Sequence, residues 1–220
     1  NCIVGLSTDA RSKKGNGVGI NSSSTYVFLE NNVIAGNEKE GIKITNGNTR
    51  IELLAGNYIG TNKDFENLGN GLDGLYLGGG TVTFPSTLDS ANYIGFNGKN
   101  GIYTNGRASL NISCNYIGIT AAGNLMPNEE YGVYFYSNAT SNTFKNVFGY
   151  NKKGALFFTN FGTFPQFISE NLFFGTEGNA IDLNGVTYRV FTLRISKIER
   201  DLDSIYSEGT TDTNHSSDIE

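Results

Sequence analysis

Residues 56–61 read Gly-Asn-Tyr-Ile-Gly-Thr and residues 69–77 read Gly-Asn-Gly-Leu-Asp-Gly-Leu-Tyr-Leu, and variants of both phrases return along most of the chain. The first phrase is an Asn, a variable residue, a large apolar residue and a nearby Gly. It starts at Asn1, Asn32, Asn57, Asn92, Asn115, Asn146 and Asn171. The steps between these residues are 31, 25, 35, 23, 31 and 25, long and short in alternation. The second phrase follows each time, as Gly17-Val-Gly-Ile, Gly41-Ile-Lys-Ile, Gly74-Leu-Tyr-Leu, Gly101-Ile-Tyr-Thr, Gly132-Val-Tyr-Phe, Gly154-Ala-Leu-Phe and Ala180-Ile-Asp-Leu. A looser third strand precedes several of the Asn, at Tyr26–Leu29, Ile51–Leu54, Leu110–Ile112 and Phe167–Ile168. Strands this short bury nothing alone, but stacked in register they share one continuous core.

Side chains alternate between faces along a strand, so each phrase predicts an inward column. In the first these are Ile3, Ile34, Ile59, Ile94, Ile117, Phe148 and Phe173; in the second, Val18, Ile42, Leu75, Ile102, Val133, Ala155 and Ile181. Between the Asn and the first inward column lie Cys2, Val33, Tyr58, Tyr93, Tyr116, Val147 and Leu172, which are predicted to point outward. The repeated Asn is expected to take a left-handed turn conformation and to hydrogen-bond to its copies along the stack.

Composition agrees. Among 220 residues, Gly and Asn number 29 each, against 3 Pro, no Trp and 17% charged residues. With 38% hydrophobic residues, the chain is too apolar for disorder and too poor in charge for a helical bundle. No apolar run reaches the roughly 20 residues of a membrane helix, so no membrane insertion is expected. A net charge of −5 and scattered Lys and Arg argue against nucleic acid as a partner. The fold class is therefore all-β, a solenoid of about seven coils, which at about 4.8 Å per strand is a rod roughly 30–35 Å long. An antiparallel propeller or sandwich would need a tight Asn-Gly hairpin between every strand pair, and the unequal loops do not supply it.

These residues resemble the right-handed parallel β-helix proteins of the pectin-lyase-like superfamily. The likeness is to the long-coil variant whose units read GNYIGT, a Gly/Asn-rich loop, then GNGxDGxxL, as in Gly56–Thr61 and Gly69–Leu77. Gly178–Leu183 is similar to the closing coil of that group. The resemblance covers roughly residues 1–185 and implies a fold; lyases, hydrolases, adhesins, phage tailspikes and structural surface proteins all share it.

The expected organisation is a β-helix over 1–185, a C-terminal cap of strand or short helix over 186–206, and a polar acidic tail over 207–220 that is disordered unless a neighbouring chain holds it. Excursions at Ser7–Asn16, Asn62–Asn70 and Thr120–Glu130 recur every second coil and are expected to line one edge. Residues 78–90 and 159–165 read as further loops. The start at Asn1 rather than Met suggests a processed form or a segment of something larger.

Candidate chemistry is sparse. The position before the second strand holds Asn16, Glu40, Asp73, Asn100, Tyr131, Lys153 and Asn179. Glu40 and Asp73 would lie on adjacent coils, at a spacing that suits a retaining carboxylate pair. As structural residues they would be solvated turn acids, and this is the preferred reading. The single histidine, His215, lies in the tail, and the Gly-His-Gly element common in the hydrolase branch is missing. Neither a metal site nor a cofactor is expected. Outward Tyr76, Tyr103 and Tyr134 form one aromatic column over three consecutive coils, and Tyr58, Tyr93 and Tyr116 form another, suited to an interface or a glycan. Such columns also form simply because Tyr stacks well on sheets. Cys2 and Cys114 fall four coils apart, too far to pair with each other, which leaves an intermolecular disulfide open at the outward Cys2. Sequons occur at Asn21, Asn111, Asn138 and Asn214; Asn111 falls in a strand and is expected to be inaccessible, and Asn138 is the best placed.

The sequence thus predicts an extracellular or cell-surface structural module without catalysis of its own. Its expected partners are other protein chains, in a filament, appendage or adhesin assembly. The alternatives are a polysaccharide lyase or hydrolase fragment and a carbohydrate-binding adhesin.

Overall fold

The computed structural model describes residues 1–23, 26–45, 47, 49–105, 109–136, 140–159, 166–184 and 191–194. Each coil gives one short strand to each of three seven-stranded parallel sheets. The first sheet holds Ile3–Val4, Val33–Ile34, Tyr58–Ile59, Asn92–Ile94, Asn115–Ile117, Val147–Gly149 and Leu172–Phe174. The second holds Ile20–Ser22, Ile42–Ile44, Leu75–Leu77, Ile102–Asn105, Tyr131–Tyr136, Gly154–Phe158 and Asn179–Asp182. The third holds Tyr26–Glu30, Arg50–Ala55, Thr81–Thr83, Ser109–Ser113, Thr140–Phe144, Gln166–Ser169 and Phe191–Arg194. The chain is a right-handed parallel β-helix of seven coils, and consecutive rungs pair in sequence order within every sheet.

The core is the space the three sheets enclose. Ile34, Ile59, Ile94, Ile117 and Phe148 enter it from the first sheet, and Ile42, Leu75, Ile102, Val133 and Leu156 from the second. Ile51, Val82, Leu110 and Ile112 enter from the third. Fully burying one such side chain is worth about 1.5–3 kcal/mol, so the stack gains with each coil added.

Three register assignments differ from the sequence pattern. In coil 1, Ile3 pairs with Val33 and Val4 with Ile34. Val4 therefore faces the core while Ile3 is 43% exposed. Cys2 consequently holds the place of a repeated Asn rather than the outward place, and its N–H donates to Asn32 Oδ1 (2.9 Å). In the second sheet Ile20 aligns with Ile42, and Leu156 with Val133, so these replace Val18 and Ala155 in the inward column. In the third sheet the supposed loop 78–90 contains the strand Thr81–Thr83, and Thr140–Phe144 forms a rung of its own. Phe191–Arg194 pairs with Gln166–Ser169 and so continues the third sheet within the stretch read as a cap. The remainder of the cap and the whole tail lie outside the described residues.

The turns are built by two asparagine ladders. Asn32, Asn57, Asn92, Asn115, Asn146 and Asn171 form the expected one, each Nδ2 donating to the Oδ1 of the next coil's Asn at 2.8–3.0 Å. The left-handed φ falls on the residue before the Asn, not on the Asn itself: Asn31, Gly56, Cys114, Lys145 and Glu170 lie between 54° and 65°. A second ladder, absent from the sequence reading, joins Asn16, Asn37, Asn70, Asn97, Asn128 and Asn151 at 2.8–3.1 Å. Buried amides are tolerated because both donors and the acceptor are used. Asn57 Nδ2, for example, also donates to the Leu29 and Ala55 carbonyls.

The second ladder explains the Gly that opens the second-sheet strand in coils 2 and 3. A Cβ on Gly41 or Gly74 would lie 2.7 Å from the Nδ2 of Asn70 or Asn97 on the following coil. Gly60 and Gly118 have a different reason. Their φ is +83°, and a Cβ there would sit 2.0 Å from the carbonyl oxygen of Gly95 or Gly149.

The excursions account for the long and short coils. That of coil 3 folds back so that Leu68 packs on Val33 and Ala35 of coil 2, with the Gly36 N–H donating to the Leu68 carbonyl (2.6 Å). That of coil 5 buries Met126 and accepts the Phe96 N–H of coil 4 at the Met126 carbonyl (3.2 Å). Arg11 ties the first excursion to the second through Asp64 (2.6 Å) and Glu66 (3.2 Å). Each long coil thus covers the edge of a short neighbour.

Candidate functional site

The candidate acids stand at the entry to the second sheet. The Gly41, Gly74 and Gly101 N–H groups donate to the carbonyls of Asp73, Asn100 and Tyr131 at 3.1, 3.0 and 2.9 Å. Glu40, Asp73, Asn100 and Tyr131 therefore form one column on consecutive coils. In coil 1 the place belongs to Val18 instead of Asn16, because Gly19 donates to the Glu40 carbonyl. In coil 6 it belongs to Gly154 instead of Lys153, because Gly154 pairs with both Tyr131 and Asn179.

Glu40 and Asp73 are not solvated turn acids: they are 4% and 6% exposed. Covering by the adjacent coils on both sides takes them out of water. Glu40 Oε1 binds Lys43 Nζ at 2.7 Å, whereas its Oε2 is buried without a hydrogen-bond partner among the described residues. Asp73 Oδ1 accepts from both the Asn100 N–H (3.1 Å) and Nδ2 (2.8 Å). Burial pushes the Asp73 carboxyl above its ordinary value; the Asn100 hydrogen bonds and the Lys99 charge oppose this, and the Glu40 charge adds to it.

Both aromatic columns are present, half-buried on the outer faces. Tyr58, Tyr93 and Tyr116 stack with ring centroids 5.3 and 5.1 Å apart and planes within 14°. Tyr76, Tyr103 and Tyr134 stack at 5.3 and 5.2 Å. This second column is longer than the sequence suggested. Lys43 Nζ lies 5.0 Å from the Tyr76 ring centre at one end, and Phe157 follows Tyr134 at 4.7 Å at the other. Phe65, from the coil 3 excursion, packs against Tyr58 and Tyr93. The rung spacing sets the ring spacing, so each inner ring spends both faces on its neighbours. Burial, with Tyr76 and Tyr134 on either side, pushes the Tyr103 phenol up to about 12.

Beside the first column runs an open groove of about 390 Å³ lined by Asn31, Tyr58, Lys63, Asp89 and Tyr93. A second of about 400 Å³ touches Cys2, Ile3, Asp9, Val33 and Asp64. The coil 3 excursion, Asn62–Asn70, walls both, and it was the sequence signal for them. Neither contains Glu40 or Asp73.

Cys2 is exposed and Cys114 is buried; both are free thiols, each directly preceding a first-sheet rung (Ile3–Val4 and Asn115–Ile117), four coils apart. Burial raises the Cys114 thiol pKa. Asn21 and Asn111 are both exposed, which corrects the expectation for Asn111: its strand position faces outward, where its Oδ1 accepts from Asn142 Nδ2 (2.8 Å). Asn138, Asn214 and His215 lie outside the described residues. Among the described residues no three His, Cys, Asp or Glu side chains converge as metal ligands, and no helix is long and apolar enough to cross a membrane. No protein-family model matches this chain, and neither does any curated protein or any solved structure.

Proposed function

We propose that this chain is a non-catalytic structural β-helix of the pectin-lyase-like kind, exposed outside the cell as a rod in a larger filament, appendage or adhesin assembly. The observation that carries this reading is how the polar and aromatic side chains are spent. Asparagines hydrogen-bond to asparagines, tyrosines stack on tyrosines, and the two candidate acids are sealed into the wall. A glycosidase acid or base must reach its substrate, and side chains 4% and 6% exposed do not offer that. A sugar-binding platform needs free ring faces, and the inner rings of both columns have used theirs. The exposed sequons Asn21 and Asn111 are compatible with an extracellular setting.

Electron microscopy and sedimentation of the purified chain over a concentration series test the reading. Filaments or concentration-dependent oligomers are expected. A monomer at every concentration that cleaves a uronate polymer, with cleavage lost in Glu40→Gln, would replace it with a polysaccharide lyase or hydrolase. Glycan-array binding lost in Tyr103→Ala would replace it with an adhesin.

A further inference from the structure

We propose that Asp73 carries a proton which it donates to the buried Oε2 of Glu40, so that an acid–carboxylate hydrogen bond joins coils 2 and 3. The argument starts from the direction of hydrogen bonding. In the column containing these acids, donors point toward the N-terminal coil. The Tyr131 N–H donates to Asn100 Oδ1 (3.1 Å), and the Asn100 amide donates to Asp73 Oδ1 (2.8 Å). A bare carboxylate has no hydrogen to pass on and would stop the series there; a carboxylic acid has one. One step further along stands Glu40, with a buried oxygen that no described group satisfies. Such orphaned acceptors are rare in folded proteins and call for a donor.

The neighbouring charges say which partner holds the proton. Lys43 Nζ pairs with Glu40 Oε1 at 2.7 Å. Lys99 lies near Asp73 but acts on it less than burial does. Among the described residues the phenols of Tyr76, under Lys43, and Tyr103, which the Asp73 charge would disfavour ionising, also face the pair. Two adjacent buried carboxylates cannot both ionise cheaply, and the proton settles on the one without a lysine partner. Burial and the Glu40 charge both push Asp73 toward the protonated form.

Carboxyl-carbon NMR titration of the intact labelled chain tests this. The expected result is an Asp73 Cγ midpoint above the ordinary aspartate value of 3.8. In Glu40→Gln the Asp73 midpoint falls. An Asp73 midpoint at or below the ordinary value, or one unmoved in Glu40→Gln, overturns the proposal. If Glu40→Gln does not fold, the wild-type chain decides alone, by whether the Asp73 midpoint lies above or below 3.8.

Discussion

Replacing Asn115 with Ala probes the ladder where it is most enclosed. The side chain is fully buried and makes three hydrogen bonds. Its Nδ2 donates to the Ser113 carbonyl (2.8 Å) and to Asn146 Oδ1 (3.0 Å), and its Oδ1 accepts from Asn92 Nδ2 (2.8 Å). At about 1 kcal/mol net for each bond, the loss is ~3 kcal/mol, and unsatisfied partners raise it. Asn92 Nδ2 keeps its bond to the Leu54 carbonyl, and Asn146 Oδ1 keeps the Asn115 backbone N–H, which limits that excess. Out of a typical total of about 5–15 kcal/mol this is a large fraction. Solenoids couple mainly to nearest neighbours, so hydrogen exchange should accelerate first at Asn92–Ile94, Asn115–Ile117 and Val147–Gly149, before Val33–Ile34. The control is Asn111→Ala, which removes one exposed amide pair with Asn142 and should cost no more than about 0.5 kcal/mol. Urea unfolding and exchange measured on both variants decide the matter. An Asn115→Ala loss no larger than that of Asn111→Ala would refute the ladder as a source of stability.

Three further outcomes follow from the same geometry. Folding raises the proton affinity of Asp73, so stability from this group is full below the unfolded value of 3.8 and is lost as pH climbs through the folded value. Asp73→Asn, whose amide donates at every pH, should flatten that decline in melting temperature; an unchanged pH slope would count against it. Gly118→Ala forces a side chain onto a φ of +83° with its Cβ 2.0 Å from the Gly149 carbonyl; the backbone strain alone is roughly 1–3 kcal/mol. Gly17→Ala, with nothing within 4 Å of its Cβ, should be near neutral, and equal losses in the two variants would contradict the steric argument. In an ultraviolet titration Tyr103 should ionise late, at about 12; persistence of that late step in Tyr103→Phe would show that another tyrosine is responsible.

The sequence revealed the solenoid because its inward positions are apolar and its turns reuse one residue. It was least legible where either condition fails. The rung Thr140–Phe144 places Thr143, not a hydrocarbon, in a buried position, and Thr81–Thr83 buries only Val82, so hydrophobic alternation is silent in both. Coil 1 misled because Asn1 imitates the repeat. The better match was Cys2-Ile-Val-Gly5 to Asn57-Tyr-Ile-Gly60, with the Gly directly after the inward residue. The second ladder did leave a signal, an Asn four residues before a Gly at Asn37, Asn70, Asn97 and Asn128. The burial of Glu40 and Asp73 left none, since it depends on the coils above and below rather than on neighbours in the chain. The tyrosine columns were visible as columns, but their ring geometry, which argues against sugar stacking, was not.

The two asparagine ladders also give the rod a sense of direction. In both, every Asn-to-Asn bond runs the same way, with the donating amide on the N-terminal side and the accepting oxygen on the C-terminal side. Amide dipoles aligned in this way add rather than cancel, so the two ends of the molecule are chemically unlike. A further rung finds matching donors and acceptors only if it arrives in the same orientation. Copies that extended these ladders end to end would join head to tail, and an association of that symmetry does not close into a two-fold dimer but grows as an open, polar fibre.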